Sequence, residues 1–155
     1  MTRRIFIAGL CGSLLAPAVL ADDADEKAIA AAAKSLEGTW VITELEYDGR
    51  SAKGDALKPQ PRKTYSKDGT SKNERDGTVT KEGFWKIVGV NGKVVHLNET
   101  PTNKKETVEA ILEFIDRDSF RMCAAVPGGE KRPTKFEIPK GNRSLLLATY
   151  KRFKE

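Results

Sequence analysis

The chain has 155 residues, 13 of them glycine and seven proline, a length that makes one domain with a tail and leaves too little for a second core. Hydrophobic residues make up 39% against 32% charged, a globular balance that excludes disorder of the whole chain. The formal net charge of +5 is spread along the sequence and does not form the concentrated basic face that nucleic-acid binding requires.

The amino terminus reads as an export signal. Arg3 and Arg4 supply a positive start, Ile5 to Leu20 an apolar stretch broken by Gly9, Gly12 and Pro17, and Val19-Leu20-Ala21 a small-residue cleavage site, so residues 1–21 form a signal peptide and the mature chain starts at Asp22. "TRRIFIAGL" is similar to the twin-arginine signal pattern, while the general secretory route also accepts paired arginines, and both routes stay open. A membrane span needs about 20 predominantly apolar residues. The glycine-punctuated stretch falls short of that, so the expected product is periplasmic or extracellular, without a stable membrane span after cleavage. Arg3 and Arg4 leave with the signal, lowering the formal charge by two from +5 to +3, and Cys11 leaves too. Cys123 then stands alone, no intramolecular disulfide can form, and a small buried apolar role is expected for it.

Residues 22–35, "DDADEKAIAAAAK" and the following Ser35, place acids first and a lysine last, the charge order that complements a helix dipole. Ile29 is the one large apolar residue there, so the segment is expected to be a short helix or a disordered leader.

From Leu36 to Glu155 the punctuation changes. Turn signals stand at Asp48-Gly49, Asp68-Gly69, Asp76-Gly77, Asn91-Gly92, Asp116 to Ser119, Pro127-Gly128-Gly129 and Lys140-Gly141-Asn142. Their spacing lies near the roughly 8 to 12 residues that mark sandwiches and barrels. In "TVEAILEFI", Val108, Ala110, Leu112 and Phe114 share one face, while Thr107, Glu109 and Glu113 share the other: a half-buried strand. Phe120 and Met122 continue that apolar face in the next strand. Phe84 to Val88 and Val94 to Leu97 flank the Asn91-Gly92 turn, and "SLLLATYKRF" makes the final strand. About eight antiparallel strands fit, the number at which a closed up-and-down barrel is filled by side chains or holds one small ligand. The expected fold class is therefore all-β, an antiparallel barrel preceded by the leader.

"GTW" at the head of the first strand resembles the Gly-x-Trp signature of the lipocalin superfamily. The resemblance implies that Trp40, behind Gly38, plugs one barrel end and that a cation from the last strand, Arg152 in "TYKRF", lies across its ring. A wider resemblance runs through "LEGTWVITELEYDGR", "EGFWKI", "DSFRMCAAVPGGEKRPTKFEI" and "LLLATYKR", in that order. These look like the lipocalin-like domain family of unknown function abundant in planctomycete bacteria. The matching positions are Leu36, Gly38, Trp40, Gly49, Gly83, Cys123, Pro127, Gly129, Arg132, Pro133, Phe136 and Arg152. The departure is "KPQPRKTYSKDGTSKNERDGTVTK", which is polar where that family has an aliphatic strand, leaving the pairing of the second and third strands open. The family implies a fold and brings no established activity.

Catalytic machinery is not expected. The chain has no Gly-rich phosphate loop, paired-cysteine zinc spacing, His-x-x-x-His pair or Gly-x-Ser-x-Gly elbow. With one histidine, His96, and one mature cysteine, no metal site and no cofactor are expected. Glu44 with Glu46, and Glu109 with Glu113, have the spacing of solvated strand faces. The loop carrying Gly128, Gly129 and Arg132 reads either as an anion-binding rim or as a structural corner whose arginine meets a carboxylate.

Two functions fit these residues, neither of them enzymatic. In the first, an interior lined by Ile42, Val108, Leu112, Phe114, Phe120 and Met122 accepts a small apolar ligand in the cell envelope. In the second, the same residues fill the barrel, and the loops contact an envelope protein or surface.

Overall fold

The computed structural model describes residues 19–126 and 131–154, with side chains from Asp23 onward. The expected signal peptide as far as residue 18 and the expected turn at Pro127-Gly128-Gly129 lie outside the described residues. One helix, α1 (Val19–Leu36), precedes nine strands: β1 (Gly38–Tyr47), β2 (Arg50–Lys53), β3 (Arg62–Tyr65), β4 (Thr70–Arg75), β5 (Thr78–Asn91), β6 (Val94–Pro101), β7 (Val108–Asp116), β8 (Ser119–Ala125) and β9 (Leu145–Arg152).

Every pairing is antiparallel, and from β3 to β9 each strand pairs with the next in sequence. β1 closes the ring by pairing with β9 from Trp40↔Arg152 to Tyr47↔Leu146. The other edge of β1 is shared: Gly38 to Val41 face β3, and Glu44 to Tyr47 face β2. The wall is thus a closed barrel of eight strands, as the turn spacing predicts, with β2 a short arm laid on one end of β1. Closure pairs the sheet edges that would otherwise recruit another chain.

The local chemistry explains the hairpins. Asp48 and Gly49, and again Asp76 and Gly77, all have positive φ, between 51° and 72°, the two-residue turn whose twist matches that of the strands it joins. In β6 burial alternates without a break, which points Val95, Leu97, Glu99 and Pro101 inward. In β7 and β8 it does not alternate: Ala110, Ile111 and Leu112 are buried in succession, as are Met122 to Ala125. The reason is a second apolar layer outside the wall. The connection from β8 to β9 brings Phe136 and Ile138 onto Ile111, Cys123, Ala125 and Leu145. Both faces of that part of the sheet are covered, so its strands read as continuous apolar runs.

The leader is a helix. Ile29, Ala32, Ala33 and Leu36 recur at i, i+3, i+4 and i+7, forming one stripe that packs into the barrel core, with Leu36 fully buried. A lack of packing partners, expected from the scarcity of large apolar residues, is not what is found. The small side chains of Ala32 and Ala33 let the helix approach the rim closely. The helix meets the end of the barrel at which β1 begins, and it lies against β5.

Candidate functional site: the sealed end and the polar interior

At the sealed end, Gly38, Trp40 and Arg152 come together. The Trp40 ring is fully buried, and its Nε1 donates to the carbonyl of Leu36 at 2.8 Å. The guanidinium carbon of Arg152 stands 4.1 Å from the indole centroid. Its Nη1 donates to the carbonyl of Glu37 at 2.9 Å and its Nη2 to that of Ser35 at 3.0 Å, so it caps the end of α1 while covering the indole. Gly38 has φ +118°, and a Cβ there would lie 2.8 Å from Arg152 Nη1, so both backbone shape and space call for glycine.

Beyond the indole the interior is occupied by rings. Phe120 meets Trp40 edge-on at 4.7 Å between centroids, stacks on Tyr150 at 4.6 Å, and meets Phe114 at 6.0 Å. Val108, Leu112 and Met122 belong to the same buried cluster, with Ile42 and Phe114 packed against it. The six residues named for ligand contact therefore all lie in or against one hydrophobic cluster.

The β3 to β6 side of the interior is polar. Lys63 Nζ lies 2.6 Å from Glu99 Oε2, with only 9% and 10% of the two side chains exposed. The same ammonium stands 5.2 Å from the centroid of the Tyr65 ring. Tyr65 Oη and Glu99 Oε1 are buried without a hydrogen-bond partner. Beside them is a cavity of about 10 Å³ lined by Lys63, Ser71, Asn73, Lys81, Glu99 and Pro101, among others. Strand register assembles it: Lys63 faces Asn73, which in turn faces Lys81, so the three form one row across β3, β4 and β5.

Burial, with the charge of Glu99 adding to it, holds the Tyr65 phenol well above its usual pKa and raises Tyr150 likewise. Both phenols are donors at neutral pH and not bases. Lys81 shifts the other way: its partial burial, and then the charge of Lys63, lower its pKa against the opposing pull of Glu99.

Sequence reasoning missed Lys63, Tyr65, Lys81, Glu99 and Tyr150. A signal was present in β6, where Glu99 continues the inward face set by Val95 and Leu97. Another lay in Lys63 and Tyr65, which alternate within the stretch too polar to read as a strand.

The remaining candidates are held by structural partners. The Arg132 guanidinium donates to the carbonyls of Leu97 at 3.1 Å and Ala110 at 2.6 Å, and also to Asn98 Oδ1 and Glu109 Oε1. Its own backbone N–H donates to Glu109 Oε2 at 2.9 Å, so the residue pins the β8–β9 connection to the outside of β6 and β7. Gly128 and Gly129, its expected companions at a rim, lie outside the described residues. Glu44 pairs with Lys53, and Glu113 with Arg121. Cys123 faces the outer apolar layer, and burial pushes its thiol up to about 11. His96 lies beside Gly89 across the β5–β6 pair. Among the described residues no three His, Cys, Asp or Glu side chains gather in a way that could hold a metal. Nor is any described helix long and apolar enough to cross a membrane.

The fold and site thus define an eight-stranded antiparallel barrel, sealed at one end by a helix, a tryptophan and an arginine. No protein-family model and no curated protein matches the sequence. Among solved structures the chain is similar to pallilysin of Treponema pallidum, with 11% identity and a TM-score of 0.46 over 89% of this chain and all of that one. At that distance the likeness brings no activity with it.

Proposed function

We propose that the protein is an exported, non-enzymatic domain of the cell envelope whose barrel is a filled scaffold and whose outer loops make its contacts. The observation that supports this reading is the run of ring contacts joining Trp40, Phe120, Tyr150 and Phe114 through the interior. In an eight-stranded barrel, side chains suffice to fill the inside. The resemblance to the planctomycete lipocalin-like family agrees with an exported barrel and adds no chemistry. In the alternative reading, Ile42, Val108, Leu112, Phe114, Phe120 and Met122 line a site for a small apolar molecule.

The test is native mass spectrometry and solvent extraction of the mature protein purified from its expression host. The filled barrel runs at the mass of the polypeptide alone and yields no lipid-like compound. A stoichiometric apolar molecule in the extract overturns the reading in favour of ligand carriage.

A further inference from the structure

Along β5 from Glu82 to Val88 burial alternates strictly: Gly83, Trp85 and Ile87 are buried, while Glu82, Phe84, Lys86 and Val88 are exposed on the outer face of the wall. Of the five exposed large hydrophobic side chains among the described residues, Val79, Phe84 and Val88 stand on this one strand, and Phe84 is 57% exposed. Scattered single apolar residues on a surface are ordinary, but a row of them along one strand points to a surface that another covers.

The order of these residues identifies what covers it. Glu82 and Lys86 flank Phe84 at equal distance with opposite charge, and beyond them come Val79 and Val88. Val79 reaches its place because Thr80 is an extra residue in β5, so that Glu74 of β4 faces Val79 directly. A second register shift falls at Val88, between Ile87 and Gly89. The face therefore reads apolar, acid, phenylalanine, base, apolar, symmetric in size and antisymmetric in charge. A two-fold axis through Phe84, lying across the strands between two such faces, reverses the second β5. It sets each Glu82 against the other copy's Lys86, each Val79 against a Val88, and Phe84 on itself. We propose that this face is the contact of a homodimer, two barrels packed wall to wall with their β5 strands antiparallel.

The neighbouring strands leave that pattern undisturbed. Thr70 on β4 and Thr100 on β6 flank Phe84, and Asn98 flanks Lys86, all of them neutral. Lys72 lies beside Glu82 but pairs with Glu74 at 3.2 Å. Neither Glu82 nor Lys86 makes an ion pair among the described residues. An anionic membrane surface would meet Glu82 with like charge, whereas a second copy meets it with a lysine. Convex walls touching along one strand bury little area, less than the roughly 1,200 Å² of standard interfaces, so the dimer is a weak one that forms as concentration rises. The contact lies outside the barrel and stands independently of what fills the interior.

The test is sedimentation velocity of the purified protein from micromolar to millimolar concentration. The wild type should pass from monomer to dimer across that range, and less readily in high salt. Glu82→Lys or Lys86→Glu alone sets like charges together at both symmetry-related contacts, and each should raise the dissociation constant about tenfold or more. Phe84→Ser should weaken the dimer likewise, and because all three side chains are exposed the variants should melt with the wild type. Glu82→Lys/Lys86→Glu restores the pattern in reverse and should recover the dimer. An equal mixture of the two single variants should form a heterodimer at concentrations where neither pairs with itself. A wild type that stays monomeric overturns the proposal; if it then binds phosphatidylglycerol vesicles and Phe84→Ser does not, the face belongs to a membrane. A dimer indifferent to the charge swaps, or one that neither the double variant nor the mixture recovers, overturns it as well.

Discussion

Arg152 covers the indole of Trp40 at 4.1 Å while its nitrogens hold the carbonyls of Ser35 in α1 and of Glu37 just after it, so one side chain joins the last strand, the first strand and the helix. Because these contacts share a residue, removing any one of them weakens the others. Trp40→Ala should cost about 3–5 kcal/mol as a large buried aromatic. With Arg152→Ala the pair should depart from additivity by at least about 0.5 kcal/mol in a urea double-mutant cycle. Strictly additive losses would show that the guanidinium and the indole act independently.

Gly38→Ala tests the same junction through the backbone. At φ +118° with Arg152 Nη1 in the way, an alanine is strained and displaces the arginine. The expected loss is about 1–3 kcal/mol by chemical denaturation. An unchanged midpoint would mean that the backbone there relaxes freely.

Phe114→Ala asks whether the interior is full. Phe114 is half-buried and packs against Phe120 and the core cluster, so truncation costs about 1–3 kcal/mol. A small loss with no newly bound apolar probe would argue for a loosely filled interior.

The buried ion pair should behave asymmetrically. Either Lys63→Met or Glu99→Gln alone removes one partner of a pair exposed by about a tenth, and Lys63→Met, which leaves a lone carboxylate, should cost about 3–5 kcal/mol. The double variant should be less damaging than the sum of the two. Thermal melts of the three variants decide it.

Alkaline pH should destabilise the fold before it alters the backbone. The Cys123 thiol is raised from 9.0 to about 11, and Tyr65 and Tyr150 are raised from 10.0, in every case first by burial. A raised acid binds its proton more tightly when folded, so the stabilisation is complete below the unfolded pKa values and is lost as pH climbs through the folded ones. Stability should therefore hold to about pH 9 and decline above it, and at pH 8 a thiol reagent should label Cys123 only after unfolding. Rapid native labelling would place the thiol at the surface.

The parts of this structure that can be read in sequence are those where one physical requirement acts alone. Asp48-Gly49 and Asp76-Gly77 announce turns because few other residues accept positive φ, and "TVEAILEFI" announces a half-buried face. The β3–β4 hairpin stays hidden because its inward side mixes the ion-paired Lys63 with the buried Tyr65 and its outward side meets water, so no apolar alternation shows. The helix stripe hides because Ala32 and Ala33 carry little hydrophobic signal, although their smallness is what allows close packing. The outer layer of Phe136 and Ile138 hides as well, since strand alternation describes a wall covered on one side only. The place of Arg152 came from resemblance, because nothing in the spacing of the chain joins residues 115 positions apart.

That separation orders events during synthesis. While β9 is still inside the ribosome, β1 and β8 are bare margins of an open sheet and the carbonyls at the end of α1 have no guanidinium to meet them. The nascent polypeptide is accordingly most vulnerable to clumping and proteolysis just before its last strand emerges, and a stop codon upstream of β9 leaves it in that state permanently.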